Sequence, residues 1–256
     1  MPFVPDSTRR FSNRVADYVR YRPGYPDELV QTLRDAVGLT PDWIVADIGS
    51  GTGISTDLFL RLGCTVYGVE PNREMRAAAE VRFLDEPRFQ SLDATAEATS
   101  LSHHSVDLVA AGQAFHWFDI ESTRNEFRRI LRPGGFAALF WNTRRVNSTP
   151  FLEAYEALLL EFAIDYQQVN HTNVDTASLA RFFGGRHFQT RSFPNHQEFD
   201  WEGLRGRVLS SSYVPAAGHP RHEPLLLELQ RLFREHESAG RVRFEYDTEL
   251  YFGPLN

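Results

Sequence analysis

Glycines at alternate positions form the most informative stretch of this sequence, Asp47-Ile48-Gly49-Ser50-Gly51-Thr52-Gly53. Alternate glycines let the backbone turn sharply and let a ligand lie against it with no Cβ in the way. The stretch joins a predicted buried strand, 43–48, to a predicted helix, 54–62. Because a helix N-terminus offers unpaired N–H groups and the positive end of its dipole, the loop predicts a ligand-binding site.

One use of such a loop is to hold the pyrophosphate of a dinucleotide, at the sequence G-x-G-x-x-G. Gly49 and Gly51 fit that spacing, but the position of the third glycine is Ile54, and Gly53 comes one residue early. The spacing therefore disfavours a nicotinamide dehydrogenase, which a titration with NAD would test.

Two acids follow neighbouring predicted strands. Glu70 ends the strand 64–69, where its carboxylate can accept two hydrogen bonds from a ribose diol without the repulsion that a phosphate would meet. Asp93 follows the strand 88–92, where an acid can accept the exocyclic amine of adenine. The carboxyl edge of the sheet is thus predicted to bind a nucleoside.

Strands and helices alternate over about a hundred residues, and this pattern predicts a parallel sheet with helices on both faces. The predicted strands of this part are 43–48, 64–69, 88–92, 106–111 and 136–141, with a turn at 132–135. The predicted helices are 11–20, 26–37 ending at Gly38, 54–62, 73–82 capped by Asn72, and one through Leu131 capped by Ser122. Farther along, helices are predicted at 150–162, 200–209 and 223–236, and strands at 187–193 and 242–252.

The order of these motifs resembles the class I S-adenosylmethionine-dependent methyltransferases. It is most similar to their small-molecule group of methyltransferase type 11, which contains enzymes of the trans-aconitate and ubiquinone-pathway type. The resemblance is strong over 36–141, suggestive over 18–26, where R-P-x-Y-P resembles the family's N-terminal lid, and weak beyond 142. The motifs are D-x-G-x-G-x-G at 47–53, V-E-P at 69–71, D-A at 93–94, S-V-D-L-V-x-A at 105–111 and L-R-P-G-G at 131–135.

The resemblance implies an α/β fold, a Rossmann-like seven-stranded mixed sheet with helices on both faces and helical lid insertions. The alternating pattern of 242–252 supports an antiparallel last strand. We expect a single methyltransferase domain over 1–256, with the cofactor-binding core at 36–142, an N-terminal lid at 1–35 and acceptor-side insertions with the last strands at 143–256.

The resemblance also implies S-adenosylmethionine as the cofactor and assigns residues to it. Asp47 would orient the glycine loop and meet the cofactor's amino group, and Glu70 would hold the ribose hydroxyls. The remaining cofactor residues would be Gly49, Ser50, Gly51 and Gly53 along methionine and ribose, Pro71, Asn72, Met75, Asp93 and Ala94 around the adenine, and Gln113 and Ala114 beside the methionine portion.

The methyl acceptor is expected where three segments converge over the carboxyl edge of the sheet. Arg22 or Arg144 could pair with an acceptor carboxylate, or both arginines could point to solvent. His116 is the candidate catalytic residue, but the aromatic residues around it could equally pack the next helix against the sheet. The acceptor residues would be Tyr18, Tyr21, Arg22, His116, Trp117, Trp141, Arg144 and, from the inserted helices, Tyr213.

Composition sets the remaining expectations. The net charge of −7 is unfavourable for holding a phosphate backbone, so we expect a small-molecule acceptor and no nucleic acid. The single cysteine, Cys64, allows no internal disulfide, and the spacing of the histidines predicts no metal site. No apolar run reaches the roughly 18 residues of a membrane span, and the polar N-terminus does not resemble a signal peptide, so we expect a cytoplasmic protein that does not bind membranes.

Methyl transfer from a sulfonium is an in-line displacement with a neutral leaving group. Alignment of acceptor, methyl and sulfur is then the protein's main task, worth about 7–11 kcal/mol. A general base is needed only where the acceptor holds a proton it cannot lose unaided. Two alternatives stay open: a methyltransferase acting on a macromolecule, and a protein that binds the cofactor without catalysis.

Overall fold

The fold is built on a seven-stranded sheet in the order β3-β2-β1-β4-β5-β7-β6. The computed structural model describes residues 15–166, 176–185 and 187–255, without the side chains of 16–18. The strands are β1 (Ile44–Ile48), β2 (Thr65–Val69), β3 (Phe89–Leu92), β4 (Val106–Gly112), β5 (Leu131–Arg144), β6 (Gln189–Phe199) and β7 (Val242–Pro254). The helices are α1 (Val15–Tyr21), α2 (Asp27–Val37), α3 (Ile54–Leu62), α4 (Arg73–Arg82), α5 (Ile120–Ile130), α6 (Pro150–Phe162), α7 (Thr176–Phe182), α8 (Trp201–Leu209) and α9 (His222–His236).

The sheet is mixed in the way the sequence predicts. β1 pairs in parallel with β2 and β4, β2 with β3, and β4 with β5. β7 runs antiparallel to both β5 and β6. The seven-stranded sheet with an antiparallel last strand is therefore confirmed, and its central parallel strands β1 and β4 are buried on both faces.

Most of the predicted elements match the structure to within a residue or two, and several boundaries move. α3, α4 and α6 have the predicted bounds, and Asn72 caps α4 by accepting the N–H of Met75 at 2.9 Å. α2 ends at Gly38, whose φ of +79° closes the helix. The part of the first predicted helix that precedes residue 15 lies outside the described residues.

Four predictions of local structure need correction. α5 begins earlier than predicted because Asp119, not Ser122, is its cap: the Asp119 carboxylate accepts the N–H of Ser122 at 2.9 Å. The predicted turn at 132–135 belongs to β5, since Leu131 already pairs with Val106. β6 extends to Phe199, beyond the predicted end at 193, because it pairs with β7 along its whole length. The sequence did not predict α7.

Buried apolar side chains form cores on both sides of the sheet. One contains Phe127 of α5, Leu139 and Trp141 of β5 and Phe182 of α7, and the other contains Leu33 of α2, Phe59 of α3 and Phe140 of β5. Alternate residues of β5 therefore face opposite cores, as the two-residue period of a strand requires. Helices cover both faces, which leaves the carboxyl edge of the parallel strands to form the site.

A third core joins the later helices to the end of the sheet. α6, α8 and α9 pack around Tyr155, Phe244 and Tyr246. Asp107 supports the opposite edge of the sheet, where it accepts the N–H of Ile44 at 2.8 Å and pairs with Arg132 at 2.8 Å. Within the described residues, no helix is long and apolar enough to cross a membrane.

Candidate functional site

The glycine loop is held at the carboxyl ends of β1 and β2 by direct hydrogen bonds. The backbone N–H of Gly49 donates to the carbonyl of Val69 at 2.8 Å. Gly49 has a φ of +68°, and a Cβ placed on it would lie 2.5 Å from the Cβ of Ala114. Glycine is required here for two reasons, the left-handed backbone and the contact with the segment that follows β4.

Asp47 lies at the end of β1 and is fully buried beneath the loop. Its Oδ2 accepts hydrogen bonds from the hydroxyls of Ser55 at 2.7 Å and Thr56 at 2.6 Å, both in the first turn of α3. Its Oδ1 is buried and has no hydrogen-bond partner among the described residues. Burial raises the pKa of Asp47 to about 6, and the two hydroxyls oppose that rise.

Glu70 joins the loop to the start of α4. Its Oε2 accepts the N–H of Gly51 at 2.9 Å, and its Oε1 accepts the N–H of Asn72 at 2.8 Å. Burial raises the pKa of Glu70, while these two N–H groups and Arg76 lower it. Each carboxylate oxygen has two lone pairs, so both keep one that can accept a hydroxyl.

Arg76 is a residue that the sequence analysis missed. It donates to the carbonyl of Glu70 at 2.8 Å and pairs with Asp93 at 2.9 Å, so it bridges the ends of β2 and β3. Asp93 is 69% exposed in its side chain, and its predicted contact with adenine must compete with this ion pair. Arg76 lies four residues after the cap Asn72, but nothing in the sequence indicates that it reaches two strands.

The predicted adenine side of the site is closely packed. Ala94 is buried, Pro71 is half-buried, and Asn72 uses its side chain to cap α4. Met75 is 4% exposed, and its Cε would lie 3.5 Å from a Cβ on Gly51. Met75 and Ala94 thus place buried apolar side chains on this side of the site, while the adenine contact itself stays a prediction.

A cleft of about 410 Å³, including its open mouth, lies between the glycine loop and the ends of β4 and β5. Gln113 lines it in a left-handed conformation, φ +57°, and its buried Oε1 has no partner among the described residues. The lining residues are Arg22, Pro23, Tyr25, Gly49, Ser50, Gly51, Thr52, Ile54, Ser55, Gly112, Gln113 and Asn142.

Asn142 of β5 is a second residue missed by the sequence analysis. Its Nδ2 donates to the carbonyl of Gly24 at 3.1 Å, and its Oδ1 accepts the hydroxyl of Thr248 at 2.5 Å and the amide of Asn195 at 3.1 Å. The Asn195 amide also donates to Gly24, at 2.9 Å. This network fastens the segment before α2 over the cleft. Only the pairing of β5, β7 and β6 brings these residues together.

Of the predicted acceptor residues near the N-terminus, one lines the cleft and another packs against a helix. Arg22 lines the cleft and donates to the carbonyl of Ser210 at 3.0 Å. Tyr21 packs on α8, where a Cβ on Gly206 would lie 2.0 Å from its ring. Tyr18 lies on α1, and its side chain is outside the described part of the protein.

The predicted acceptor residues that follow β4 and lie on β5 do not come together at the cleft. His116 is exposed and Trp117 is half-buried on a single 3-10 turn, with ring centroids 4.7 Å apart. Phe115, beside them, packs against Phe182, so packing accounts for that aromatic residue. Trp141 faces the sheet side opposite Asn142 and donates to Glu249 at 2.8 Å, and it does not line the cleft.

Arg144 does not point to solvent. Its side chain is 9% exposed, pairs with Glu156 and donates to the hydroxyl of Tyr166 at 3.0 Å. Tyr213 is half-buried, and its ring meets that of Tyr166 edge-on at 4.9 Å. The structure therefore brings Arg144 and Tyr213 together in one cluster beyond the cleft.

The residues present fit S-adenosylmethionine. Its ammonium group needs acceptors, and two buried oxygens without partners, Oε1 of Gln113 and Oδ1 of Asp47, lie in or directly beneath the cleft. Its ribose diol needs lone pairs, which Glu70 retains. Its carboxylate needs a cation, and Arg22 lines the cleft.

Comparisons with known proteins agree with this fit. The methyltransferase domain family matches residues 46–139. An uncharacterized methyltransferase of Schizosaccharomyces pombe is 34% identical over 156 residues, which cover 59% of this chain and 59% of that protein, so the match spans less than two thirds of the relative.

Two solved structures share the fold. One, described as a type II methyltransferase from Anaeromyxobacter dehalogenans, superposes with a TM-score of 0.63 at 22% identity, covering 92% of this chain and 98% of the other. The phosphoethanolamine N-methyltransferase 2 of Haemonchus contortus, in complex with phosphomonomethylethanolamine and S-adenosylhomocysteine, has a TM-score of 0.56 at 14% identity, covering 94% of this chain and 56% of the other.

Residues 46–139 thus match the methyltransferase domain family, and the chain shares the fold of the two solved methyltransferase structures.

Proposed function

We propose that this protein transfers the methyl group of S-adenosylmethionine to a small-molecule acceptor that carries a carboxylate. The observation that carries the proposal is the cleft itself. The glycine loop and Gln113, whose buried Oε1 has no partner among the described residues, line one space at the carboxyl edge of the sheet. Glu70 accepts the N–H of Gly51 in that loop, and Asp47 accepts the hydroxyl of Ser55, which also lines the space.

When bound, S-adenosylmethionine supplies an electrophilic methyl group on a sulfonium. The chain's own contribution is to bind and orient. Glu70 and the glycine loop fix the nucleoside end, and Asp47 and Gln113 attract the ammonium end. The segment 22–25, tied down by Asn142, covers the cleft and excludes water. Such alignment is the main requirement of an in-line displacement.

The acceptor is proposed to be small, partly apolar and anionic. A carboxylate is already ionised at pH 7, so the reaction needs no general base. His116, exposed on its 3-10 turn, is proposed to border the acceptor. The formal charge of −7 favours a small-molecule acceptor over a nucleic acid. The location of the protein is proposed to be cytoplasmic.

The proposal is tested in two stages. Calorimetry with S-adenosylhomocysteine measures binding at the cleft, and a Gly49→Ala variant is expected to lose it. Radiolabelled methyl transfer is then measured with matched panels of carboxylic acids, phenols and amines. We expect turnover with carboxylic acids. Turnover confined to amines or phenols contradicts the carboxylate, and binding without turnover of any acceptor supports a cofactor-binding protein without catalysis.

A further inference from the structure

Two buried arginines and three tyrosines form a cluster beyond the cleft. Arg207 of α8 is 6% exposed, and its Nη1 donates to the hydroxyl of Ser211 at 3.1 Å. Its guanidinium hydrogen bonds to Tyr246, and Tyr213 and Tyr155 are near enough to interact with its charge. An arginine keeps its charge even when buried, so this cation is fixed in an apolar core.

The positive charge of the cluster exceeds its negative charge. Among the described residues, Arg144 pairs with Glu156, whereas Arg207 pairs with no carboxylate and contacts hydroxyls and the ring of Phe244, 6.0 Å from its guanidinium carbon. A buried charge is costly unless it is paired. Within the described residues, the buried charge of Arg207 therefore has no carboxylate partner.

The cluster also has more hydrogen-bond donors than acceptors. The Nε of Arg207 and the Nη1 of Arg144 are buried and have no partner in the described part of the chain. Tyr155, which is 1% exposed, packs 4.8 Å beneath the Arg144 guanidinium, and no hydrogen bond involves its hydroxyl there. Among the described residues, these two N–H donors thus have no acceptor.

The cluster adjoins the cofactor cleft on the same face of the sheet. Arg144 follows Asn142 by two residues on β5, which places both side chains on one face, about 7 Å apart along the strand. Tyr246 lies opposite Arg144 in the β5–β7 register. A second connection runs through α8, since Arg22 of the cleft binds Ser210 and Arg207 binds the next residue, Ser211.

We propose that Arg144, Arg207, Tyr155 and Tyr213 form an anion subsite that binds a carboxylate of the methyl acceptor. A carboxylate supplies one negative charge, which matches the buried charge of Arg207. It also offers about four lone-pair positions, which match the two unpartnered arginine N–H groups and the two phenols. The subsite rests on the proposed function for its role, but its anion binding can be measured without turnover.

The test compares carboxylates with their neutral amides. Acetate, malonate and benzoate are titrated by calorimetry against acetamide, malonamide and benzamide, with and without S-adenosylhomocysteine. We expect saturable binding of at least one carboxylate and at least tenfold weaker binding of its amide. Equal binding of the acid and its amide, or no binding of any of the three carboxylates, overturns the subsite.

Arg207→Met separates a binding role from a structural one. We expect at least tenfold weaker carboxylate binding together with a higher melting temperature of the ligand-free protein, because the buried charge of Arg207 has been removed. Arg207→Lys should recover part of the binding. The matched control is Arg231→Met, at a position 57% exposed, which should leave carboxylate binding unchanged.

Tyr213→Phe provides a second variant if Arg207→Met does not fold, and a three- to tenfold loss of carboxylate affinity is expected. Unchanged carboxylate affinity in Tyr213→Phe and in a folded Arg207 variant contradicts the proposal. Binding of S-adenosylhomocysteine, measured in the same samples, should not change. If the wild-type protein binds carboxylates but not S-adenosylhomocysteine, the proposed function fails while the subsite stands.

Discussion

The Oε2 of Glu70 accepts the backbone N–H of Gly51 at 2.9 Å. One carboxylate thus links the end of β2 to the loop that follows β1, and its other oxygen binds Asn72 at the start of α4. Three segments of the candidate site are therefore positioned by a single side chain. This contact makes Glu70 both a support of the loop and the expected partner of the ribose.

Replacing Glu70 with alanine is expected to weaken S-adenosylhomocysteine binding by about 1.5–3 kcal/mol, the range of hydrogen bonds to a charged group, or roughly 10- to 150-fold in Kd. The loss has two physical sources: the ribose acceptor disappears, and the N–H of Gly51 loses its partner. Calorimetry on the folded variant measures it. Asp93→Asn, at an exposed position, should have a smaller effect, and unchanged affinity in Glu70→Ala would exclude the ribose role.

Asp47 should make the stability of the ligand-free protein depend on pH. Burial raises its pKa from 3.8 to about 6, so between these values the folded protein holds a proton that the unfolded chain has released. Stability should therefore fall as the pH rises through this window, by about 3 kcal/mol from this group. Urea unfolding of the wild type and Asp47→Asn at pH 4 and pH 7 measures the difference. A contribution that rises with pH would contradict the assignment.

Cofactor binding should show the opposite trend for the same group. An ammonium group pairs with the ionised carboxylate of Asp47, so S-adenosylhomocysteine affinity should weaken as the pH falls below about 6, by up to tenfold per pH unit. Calorimetry between pH 5 and pH 8 tests this. Asp47→Asn should bind weakly with little pH dependence, and a wild-type Kd that is the same at both ends of the range would rule out the pairing.

Two glycines with left-handed backbones should respond differently to a methyl group. Gly49→Ala is expected to destabilise the protein by about 2–5 kcal/mol, the sum of left-handed strain and the contact with the Cβ of Ala114. Gly134→Ala, with φ +84° and nothing within 4 Å of the added Cβ, should cost about 1–2 kcal/mol. Urea unfolding measures both. Equal losses would show that the Ala114 contact relaxes without cost.

His116 and Arg144 should affect acceptor use and not cofactor binding. Arg144→Met is expected to raise the acceptor KM at least tenfold, because it removes a donor from the proposed anion subsite. His116→Ala should raise KM without lowering kcat more than about tenfold, since a carboxylate acceptor needs no base. Steady-state kinetics of both variants, with the acceptor of the panel that the wild type methylates fastest, measures KM and kcat. If neither variant changes KM or kcat, the acceptor lies elsewhere.

The part of the candidate site around the glycine loop was predictable from sequence, because each of its residues lies close to the end of a strand or the start of a helix. Gly49, Glu70 and Asn72 each lie at the end of a strand or the start of a helix, and the change of hydrophobic period marks those ends. The carboxyl ends of parallel strands necessarily meet at one edge of the sheet. The cap of α5 was misplaced because Asp119 and Ser122 are both good capping residues, and sequence alone does not choose between them.

Which residues lie together at the proposed acceptor site depends on the tertiary structure. The sequence singled out Arg144 and Tyr213 but left open whether the arginine faces solvent, and it gave no indication of Arg207, Asn142 or Tyr155. Arg207 of α8 is distant in sequence from β5 and α6, and the pairing of β5 with β7 and the packing of α6 and α8 beside it bring these residues together. Residue spacing fixes which residues share an element or a strand end, whereas long-range packing determines which charges lose their water and need a partner.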